Sequence, residues 1–480
     1  MSKGNKILSG LFWSFAERIG AQVVTFVVSL VLARILAPSD YGMVSMVTVF
    51  VTIANVLVTS GFGNALIQKK DADDLDFSSV FFAQLGLSLL LYGLLFVAAP
   101  YIAAFYGEGY ESLSQVLRVI GLRIPIAAIN NVQRAYVSRK MIFKKFFVAT
   151  IFGTVVSAGV GLLMAYSGYG VWALVGQYLS NVIMDTIILG ITVKWRPHWQ
   201  FSFLRLKPLF SYGWKLLTVD LVNSLLNNLR TMLVGKFYTP NDLAYYERAE
   251  QFPSLIVTNI NSSIQSVLFP AMSKEQDETE KVKTLLRNMI SIGAFVIFPL
   301  TFGLMAVARP LVLLLLTEKW VESVPYVQIF CASYSLRIIS TSCAQSIKAL
   351  GRSDLYMKYS VLYKVIEFVS IIITIFIGVK AVAVGTLINA IILVIIQYIC
   401  NRKLTRYSIR EFAADLLPSL LLSAGMLIVV LLLGTLSSSV GMLACQIAVG
   451  GIVYIGGAFL LRMKPLFAVL NIIKGLFHKK

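Results

Sequence analysis

Leu32-Ala-Arg-Ile-Leu-Ala-Pro38-Ser39-Asp40-Tyr41-Gly42 closes one long apolar run and opens the next, and its reading decides the fold. Proline followed by a small polar residue and an aspartate is turn chemistry, because proline presets its own φ and the polar side chains bond back to nearby backbone. The flanking runs, at about 10–36 and 42–68, each exceed the roughly 20 residues a helix needs to cross about 30 Å of hydrocarbon. The segment therefore reads as a tight outer turn between two membrane-crossing helices.

Further apolar runs follow at about 77–104, 113–137, 147–166, 171–193, 211–235, 244–270, 285–307, 324–346, 359–379, 381–400, 412–434 and 442–461, giving an expectation of fourteen spans. Composition agrees. The chain is 58% hydrophobic and 14% charged, with mean hydropathy +0.79, against roughly 45–50% and 25% in soluble domains. Most of the 42 lysines and arginines fall at the two termini or in every second gap: 69–76, 138–146, 194–210, 271–284, 347–358 and 401–411. The alternate gaps hold only Lys236, Arg309, Lys319 and Lys380. Short basic loops stay cytoplasmic, so both termini of a multi-pass membrane protein are expected inside. The net charge of +19 is scattered over these loops, which suits anionic lipid headgroups and argues against nucleic acid as a partner.

After residue 9 the chain enters a span too long for a signal-peptide core, so no cleaved leader is expected. Cys331, Cys343, Cys400 and Cys445 lie in or at the ends of apolar runs and read as packing residues. With only His198 and His478 available, a zinc or haem site is improbable, and no cofactor is expected.

The opening turn recurs at an offset of about 202 residues, as Leu233-Val-Gly-Lys-Phe-Tyr-Thr-Pro240-Asn241-Asp242-Leu243-Ala244. Each copy is followed, one span later, by a stretch mixing lysine with acids, at 69–76 and 274–283. An even number of spans separates the copies, so the halves share one orientation, a parallel repeat. The expected organisation is an N-terminal lobe over 1–193, a basic, aromatic interfacial linker over 194–210 and a second six-helix lobe over 211–400. Two accessory spans over 401–461 and an amphipathic tail over 462–480 complete it. In that tail Leu466, Phe467, Leu470, Ile473 and Phe477 face away from Asn471, Lys474 and His478, the pattern of a surface anchor. The longest outer gap, 309–324, is itself mostly apolar and is expected to dip into or lie on the bilayer. With outer gaps this short there is no room for a catalytic domain, so the chain is not read as an enzyme.

An ionisable group at the centre of a span costs at least about 2.5–3.5 kcal/mol, so such groups should face a partner or water. Basic residues inside spans outnumber the acids Glu17, Asp185, Asp220, Glu247, Glu250 and Glu367. They form stripes: Asp220, Asn223, Asn227 and Arg230 recur at steps of 3, 4 and 3, and Arg123, Asn130 and Arg134 share a span with Pro125. Gln177, Asn181 and Asp185 make an i, i+4 row. Single serines, threonines and amides read as interhelical glue, and Arg34, Arg118 and Arg287 near span ends as snorkelling side chains. The deeper Arg18, Arg123, Arg134 and Arg230, with Asn130, Asn223 and Asn227, read as a wet, anion-attracting lumen. Spans thirteen and fourteen carry almost no stripe and should face lipid or pack peripherally. Two polar-lined bundles of like orientation describe an alternating-access carrier. Arginine suits a phosphate because its planar fork donates two hydrogen bonds at once.

Four stretches carry a resemblance. They are Leu32–Gly42, Gly61-Phe-Gly-Asn-Ala-Leu-Ile-Gln-Lys-Lys70, Val267-Leu-Phe-Pro-Ala-Met-Ser-Lys-Glu-Gln-Asp-Glu-Thr-Glu-Lys281 and Thr317-Glu-Lys-Trp320. On these residues the chain resembles the polysaccharide-exporter branch of the multidrug/oligosaccharidyl-lipid/polysaccharide flippase superfamily, close to bacterial colanic acid and teichuronic acid exporters. The resemblance implies a V-shaped pair of six-helix lobes plus two C-terminal helices. It also implies movement of an undecaprenyl-diphosphate-linked oligosaccharide from the cytoplasmic to the outer leaflet, where a polymerase takes over. Expected partners are that lipid-linked substrate, membrane lipid and the polymerase and glycosyltransferase machinery around a monomeric carrier. It transfers no binding residue.

Three other readings compete. A cation-coupled drug antiporter of the same superfamily needs buried carboxylates, whereas bases prevail here. A membrane-embedded polymerase or glycosyltransferase needs an aqueous domain. A non-transporting scaffold needs neither. Glu17, Asp220, Glu247 and Glu367 are the candidate groups for coupling to an ion.

Overall fold

The computed structural model describes residues 20–69, 71–107, 109–140, 142–436 and 440–477. Every regular element among them is helical, as the composition of apolar runs demands: a backbone in lipid must satisfy its polar groups within its own segment. The chain forms two compact units, 1–244 and 245–480.

In the first unit α1 (Gly20–Ile35) leads through the Pro38 turn into α2 (Pro38–Thr59) and the short α3 (Phe62–Gln68). Then come α4 (Asp74–Tyr106), α5 (Glu111–Gly121), α6 (Arg123–Lys140), α7 (Lys144–Tyr166), α8 (Val171–Thr192) and α9 (Phe203–Phe237). The helix α10 (Pro240–Lys274) begins in this unit and continues into the second. There follow α11 (Thr279–Ala306), α12 (Ala308–Leu316), a 3₁₀ turn (Glu318–Ser323), α13 (Val324–Ser335), α14 (Arg337–Ala349) and α15 (Ser353–Ile375). The chain closes with α16 (Val379–Thr405), α17 (Ile409–Gly434), α18 (Val440–Leu460) and α19 (Lys464–Phe477).

Among the described residues nine helices are long and apolar enough to cross a membrane, fewer than the fourteen expected spans. The difference falls on α1, which meets the undescribed N-terminal residues, on α13–α14, broken at Leu336, and on α9, α10 and α15, whose polar residues lower their apolarity. The apolar outer gap folds as α12 and the 3₁₀ turn.

The two repeated turns fold alike. Ala37 donates its backbone N–H to Asp40 Oδ2 at 3.1 Å, and Thr239 donates its own to Asp242 Oδ2 at 3.1 Å. In each, proline occupies the first helical position, where its missing N–H costs nothing, and the aspartate three residues after the cap reaches back.

The first unit is closed at one end by the stretch after α8. Trp195 is buried against Phe77 and Tyr136, with ring centroids 5.7 and 6.4 Å away. The His198 and Ser202 backbone N–H groups donate to Ser78 and Ser79 hydroxyls at 3.0 Å, tying this stretch to the start of α4. Arg205 and Lys207, expected in an interfacial helix of the linker, lie in the first turns of α9, which runs unbroken into the next span. Leu206 and Leu209 are buried, and the helix runs on to pack along α2, α3 and α4, so the first compact unit extends through it. At the α2–α3 break Gly61 has φ +88°, and a Cβ there would stand 2.4 Å from the Gly213 carbonyl oxygen of α9. Only glycine meets both conditions without strain.

In the second unit α17 packs along α11. Arg287 of α11 forks onto Asp415 through Nε at 2.8 Å and Nη2 at 3.1 Å, and reaches Glu411 through Nη1 at 2.9 Å. Tyr407 donates to Asp415 at 2.7 Å. Arg287 is thus paired and not snorkelling, and span thirteen is not a bare peripheral helix: its Asp415, an acid inside the 412–434 run, supplies the partner. Leu466 of α19 is buried in the apolar cluster with Phe295, Met426 and Tyr454, so part of the tail's apolar face covers protein. His478 lies outside the described residues.

Candidate functional site

The polar residues of the first unit converge where α6, α7 and α8 meet. Gly153 lets α7 come close to α8: a Cβ there would stand 3.2 Å from the Asn181 carbonyl oxygen and 3.6 Å from Asp185 Cβ. Small residues permit this approach between membrane helices. It leaves the Asp185 side chain directed to α6, where Asn130 and Arg134, four residues apart, share one face. Asp185 Oδ2 accepts from Arg134 Nη2 at 2.6 Å and from Asn130 Nδ2 at 2.5 Å. The Asp185 side chain is 9% exposed and the Arg134 side chain 42%. The carboxylate is therefore fixed in the protein, while its cation reaches outward across the Phe146 ring, 5.4 Å from its centroid. Asp185 Oδ1, Asn130 Oδ1 and Gln133 Oε1 are buried and make no hydrogen bond among the described residues. A buried acceptor left without a donor is costly, and two of these three belong to Asn130 and Asp185, the residues joined by the short hydrogen bond beside Arg134.

Arg123 stands apart. It opens α6, about 16 Å along the axis from Arg134 at 1.5 Å per residue, and its guanidinium lies 5.4 Å from the Tyr178 ring of α8. Two cations on one helix thus face two groups of the next helix, an aromatic ring and a carboxylate.

The stripe on α9 is present. Asp220, Asn223 and Asn227 are exposed and Arg230 is half-buried, yet Val219, Val222 and Leu225 on the adjoining arc are exposed too. The middle of α9 therefore presents an exposed polar arc beside an exposed apolar one, the kind of surface that suits water on one side and lipid on the other.

The remaining expected residues scatter. Glu17 and Arg18 lie outside the described residues. Glu367 is held one turn away by Lys364 at 2.8 Å. Glu247 is half-buried on α10, whose neighbouring Glu250 accepts from Tyr334 at 2.9 Å, with the Arg337 guanidinium 4.7 Å from the same ring. Arg248 is buried, donates to Gln251 at 2.8 Å and lies 5.3 Å from the Trp320 ring. The structure thus brings together Arg134 and Asn130, and it does so through Asp185, which the sequence reading left among the tallied acids. The signal was there: an i, i+4 row on one span and an i, i+4 pair on another are complementary faces.

Comparison with known proteins agrees with this architecture. The chain is 27% identical over 355 residues to the teichuronic acid biosynthesis protein TuaB of Bacillus subtilis (strain 168), covering 73% of this chain and 72% of that one. It is 26% identical over 442 residues to the lipopolysaccharide biosynthesis protein WzxC of Escherichia coli (strain K12), covering 90% and 89%. Among solved structures it shares its fold with the lipid II flippase MurJ in an inward closed conformation, with TM-score 0.76 and 16% identity over 94% of this chain and 99% of that one. The sequence profile of one family matches residues 31–325, more than half of the chain. This multi-pass membrane protein belongs to the polysaccharide biosynthesis protein family.

Proposed function

We propose that the protein is a flippase that carries an undecaprenyl-diphosphate-linked oligosaccharide from the cytoplasmic to the outer leaflet of the bacterial inner membrane by alternating access, with both termini in the cytoplasm. The observation that carries this reading is Arg134, a half-exposed side chain anchored to a buried carboxylate, both on helices long and apolar enough to cross a membrane. Its planar fork suits a phosphate, and the reading is supported by the chain's membership of the polysaccharide biosynthesis protein family and by a fold shared with a lipid II flippase. The two-faced middle of α9 supports the same reading, because an amphiphile needs water for its sugars and oil for its chain. The carrier works as a monomer beside polymerase and glycosyltransferase machinery, and performs no covalent chemistry itself.

The test is transport in proteoliposomes loaded with defined undecaprenyl-diphosphate oligosaccharides, read by accessibility of the sugar to an external lectin. Protein-dependent exposure of the sugar is expected. Equal exposure with and without the protein would overturn the reading.

A further inference from the structure

The pair at the heart of the first unit is unevenly built. A buried carboxylate repays its desolvation only when its cation is well placed and its remaining lone pairs are satisfied. Here the Asp185 carboxylate is buried and one of its oxygens lacks a donor among the described residues, while the Arg134 side chain is 42% exposed. Arg134, the more exposed partner and on the longer side chain, can swing toward a new anion further than the short, buried Asp185 side chain can follow.

We propose that Asp185 is a resident anion that holds Arg134 until substrate phosphate takes its place, and that it binds one proton on being displaced. The inference rests on the headgroup reading of Arg134 given above. When Arg134 turns to a phosphate oxygen, Asp185 keeps only the Asn130 amide as a donor. A buried carboxylate without its cation is strongly disfavoured, and the group neutralises. The balance is simple: the guanidinium stays charged throughout, one O–H bond forms on the Asp185 carboxyl, and the proton leaves a hydronium ion or buffer acid of the medium, whose bond to it breaks. Departure of the phosphate reverses each step. Headgroup occupancy and proton occupancy are then one event, and by linkage each tightens the other.

Among the described residues, the charged groups besides Arg134 on the helices packed against α8 are Arg123, Arg139 and Lys140 of α6, Lys144 and Lys145 of α7, Asp40 of α2, and Glu111 and Arg118 of α5. On α6, Arg139 donates to the Leu66 carbonyl at 2.8 Å, Lys140 lies 5.8 Å from the Tyr136 ring and Arg123 faces Tyr178. On α7 the nearest is Lys145, which donates to the Thr192 carbonyl, and Lys144 lies at the same end. From α2, Asp40 sits at Gly170, the opposite end of α8. From α5, Glu111 is exposed and Arg118 is held by the Phe96 carbonyl at 3.2 Å.

The experiment measures binding of undecaprenyl diphosphate to the full-length protein in nanodiscs between pH 6 and 8.5. Protons taken up are counted with a pH-sensitive dye in weak buffer. The ligand titrates too, so the informative quantity is the difference between wild type and Asp185→Asn. Wild type should take up about one proton more per ligand than Asp185→Asn. Its affinity should fall up to about tenfold per pH unit relative to the variant. Asp185→Glu, which retains an acid, should keep the dependence, and it carries the test with the wild-type proton count if Asp185→Asn does not fold. Equal proton uptake in wild type and Asp185→Asn, with Arg134→Ala abolishing binding, would overturn the coupling and leave the headgroup site standing. Unimpaired binding by Arg134→Ala would instead remove the site itself.

Discussion

A β-carbon on Gly42 would stand 1.9 Å from the carbonyl oxygen of Pro240. The two copies of the repeated turn thus meet backbone to backbone. Because the obstacle is main chain and not a flexible side chain, it cannot move aside. Gly42→Ala should lower stability by about 1–3 kcal/mol, outweighing the roughly 1 kcal/mol of helix propensity that alanine gains over glycine. Thermal unfolding in detergent measures it, and a variant as stable as wild type would contradict the close approach.

Arg287 bridges α11 to both acids of α17, and Arg287→Ala leaves Asp415 and Glu411 without their guanidinium. The expected loss is about 1–3 kcal/mol, at the lower end because Arg287 is a third exposed. Arg287→Lys should recover part of it, since a single ammonium replaces only one arm of the fork. Denaturation midpoints of the three proteins decide the order.

Trp195 closes the end of the first unit, 6% exposed against Phe77, Phe81 and Tyr136. Trp195→Ala should cost about 3–5 kcal/mol. The exposed neighbour Trp199 stacks on Phe82 at 5.3 Å, and Trp199→Ala should cost well under half as much. Protease susceptibility after residue 193 would report the loosening in the first variant.

Asp73 caps α4, accepting from the Asp76 backbone N–H at 2.9 Å. That bond, with the attraction of Arg205 and Lys69, holds its carboxyl below the ordinary 3.8. Asp354, forked by Arg352, is likewise held low. A depressed acid stabilises the fold above its unfolded pKa, and the contribution is lost as pH falls through the folded value. Both contributions are therefore complete at pH 5 and above and fade only below about 4. Asp73→Asn, still a good cap but without the charge that Arg205 and Lys69 attract, should melt slightly below wild type from pH 5 to 8 and converge with it in acid. A gap that stayed constant into acid, or opened only there, would refute the assignment.

Arg134 and Arg123 should differ in kind. Arg134→Ala removes a charge-assisted contact of about 1.5–3 kcal/mol, weakening headgroup binding roughly 10- to 100-fold. Arg123→Ala, which loses an aromatic contact, should cost about 0.5–2 kcal/mol. Some 16 Å apart on one helix, they should add without coupling, which binding to the double variant measures.

Much of this was legible in the residues. Pro38 and Pro240 with their trailing aspartates named two equivalent turns, and both fold as capped helix starts. The stripes were right as faces. Partners were another matter: the period of a helix says which residues share a side, but not which neighbour that side meets. Asp185 was visible as the end of a row, and only packing through Gly153 aims it at Arg134. Arg287 near a span end looked free to snorkel, because its acids lie 124 and 128 residues further on. The start of α9 read as a linker since Arg205 and Lys207 interrupt the apolar run; burial of Leu206 and Leu209 carries the helix through them.

The divided middle of α9 has an energetic corollary for the proposed cargo. If sugar and phosphate travel along Asp220, Asn223 and Asn227 while the chain slides past Val219, Val222 and Leu225, neither half of the molecule ever changes solvent. The barrier then belongs to the polar head alone. Analogues with shortened isoprenoid chains should cross at nearly the natural rate, and added sugars should slow them; a rate that tracked chain length would rule this out.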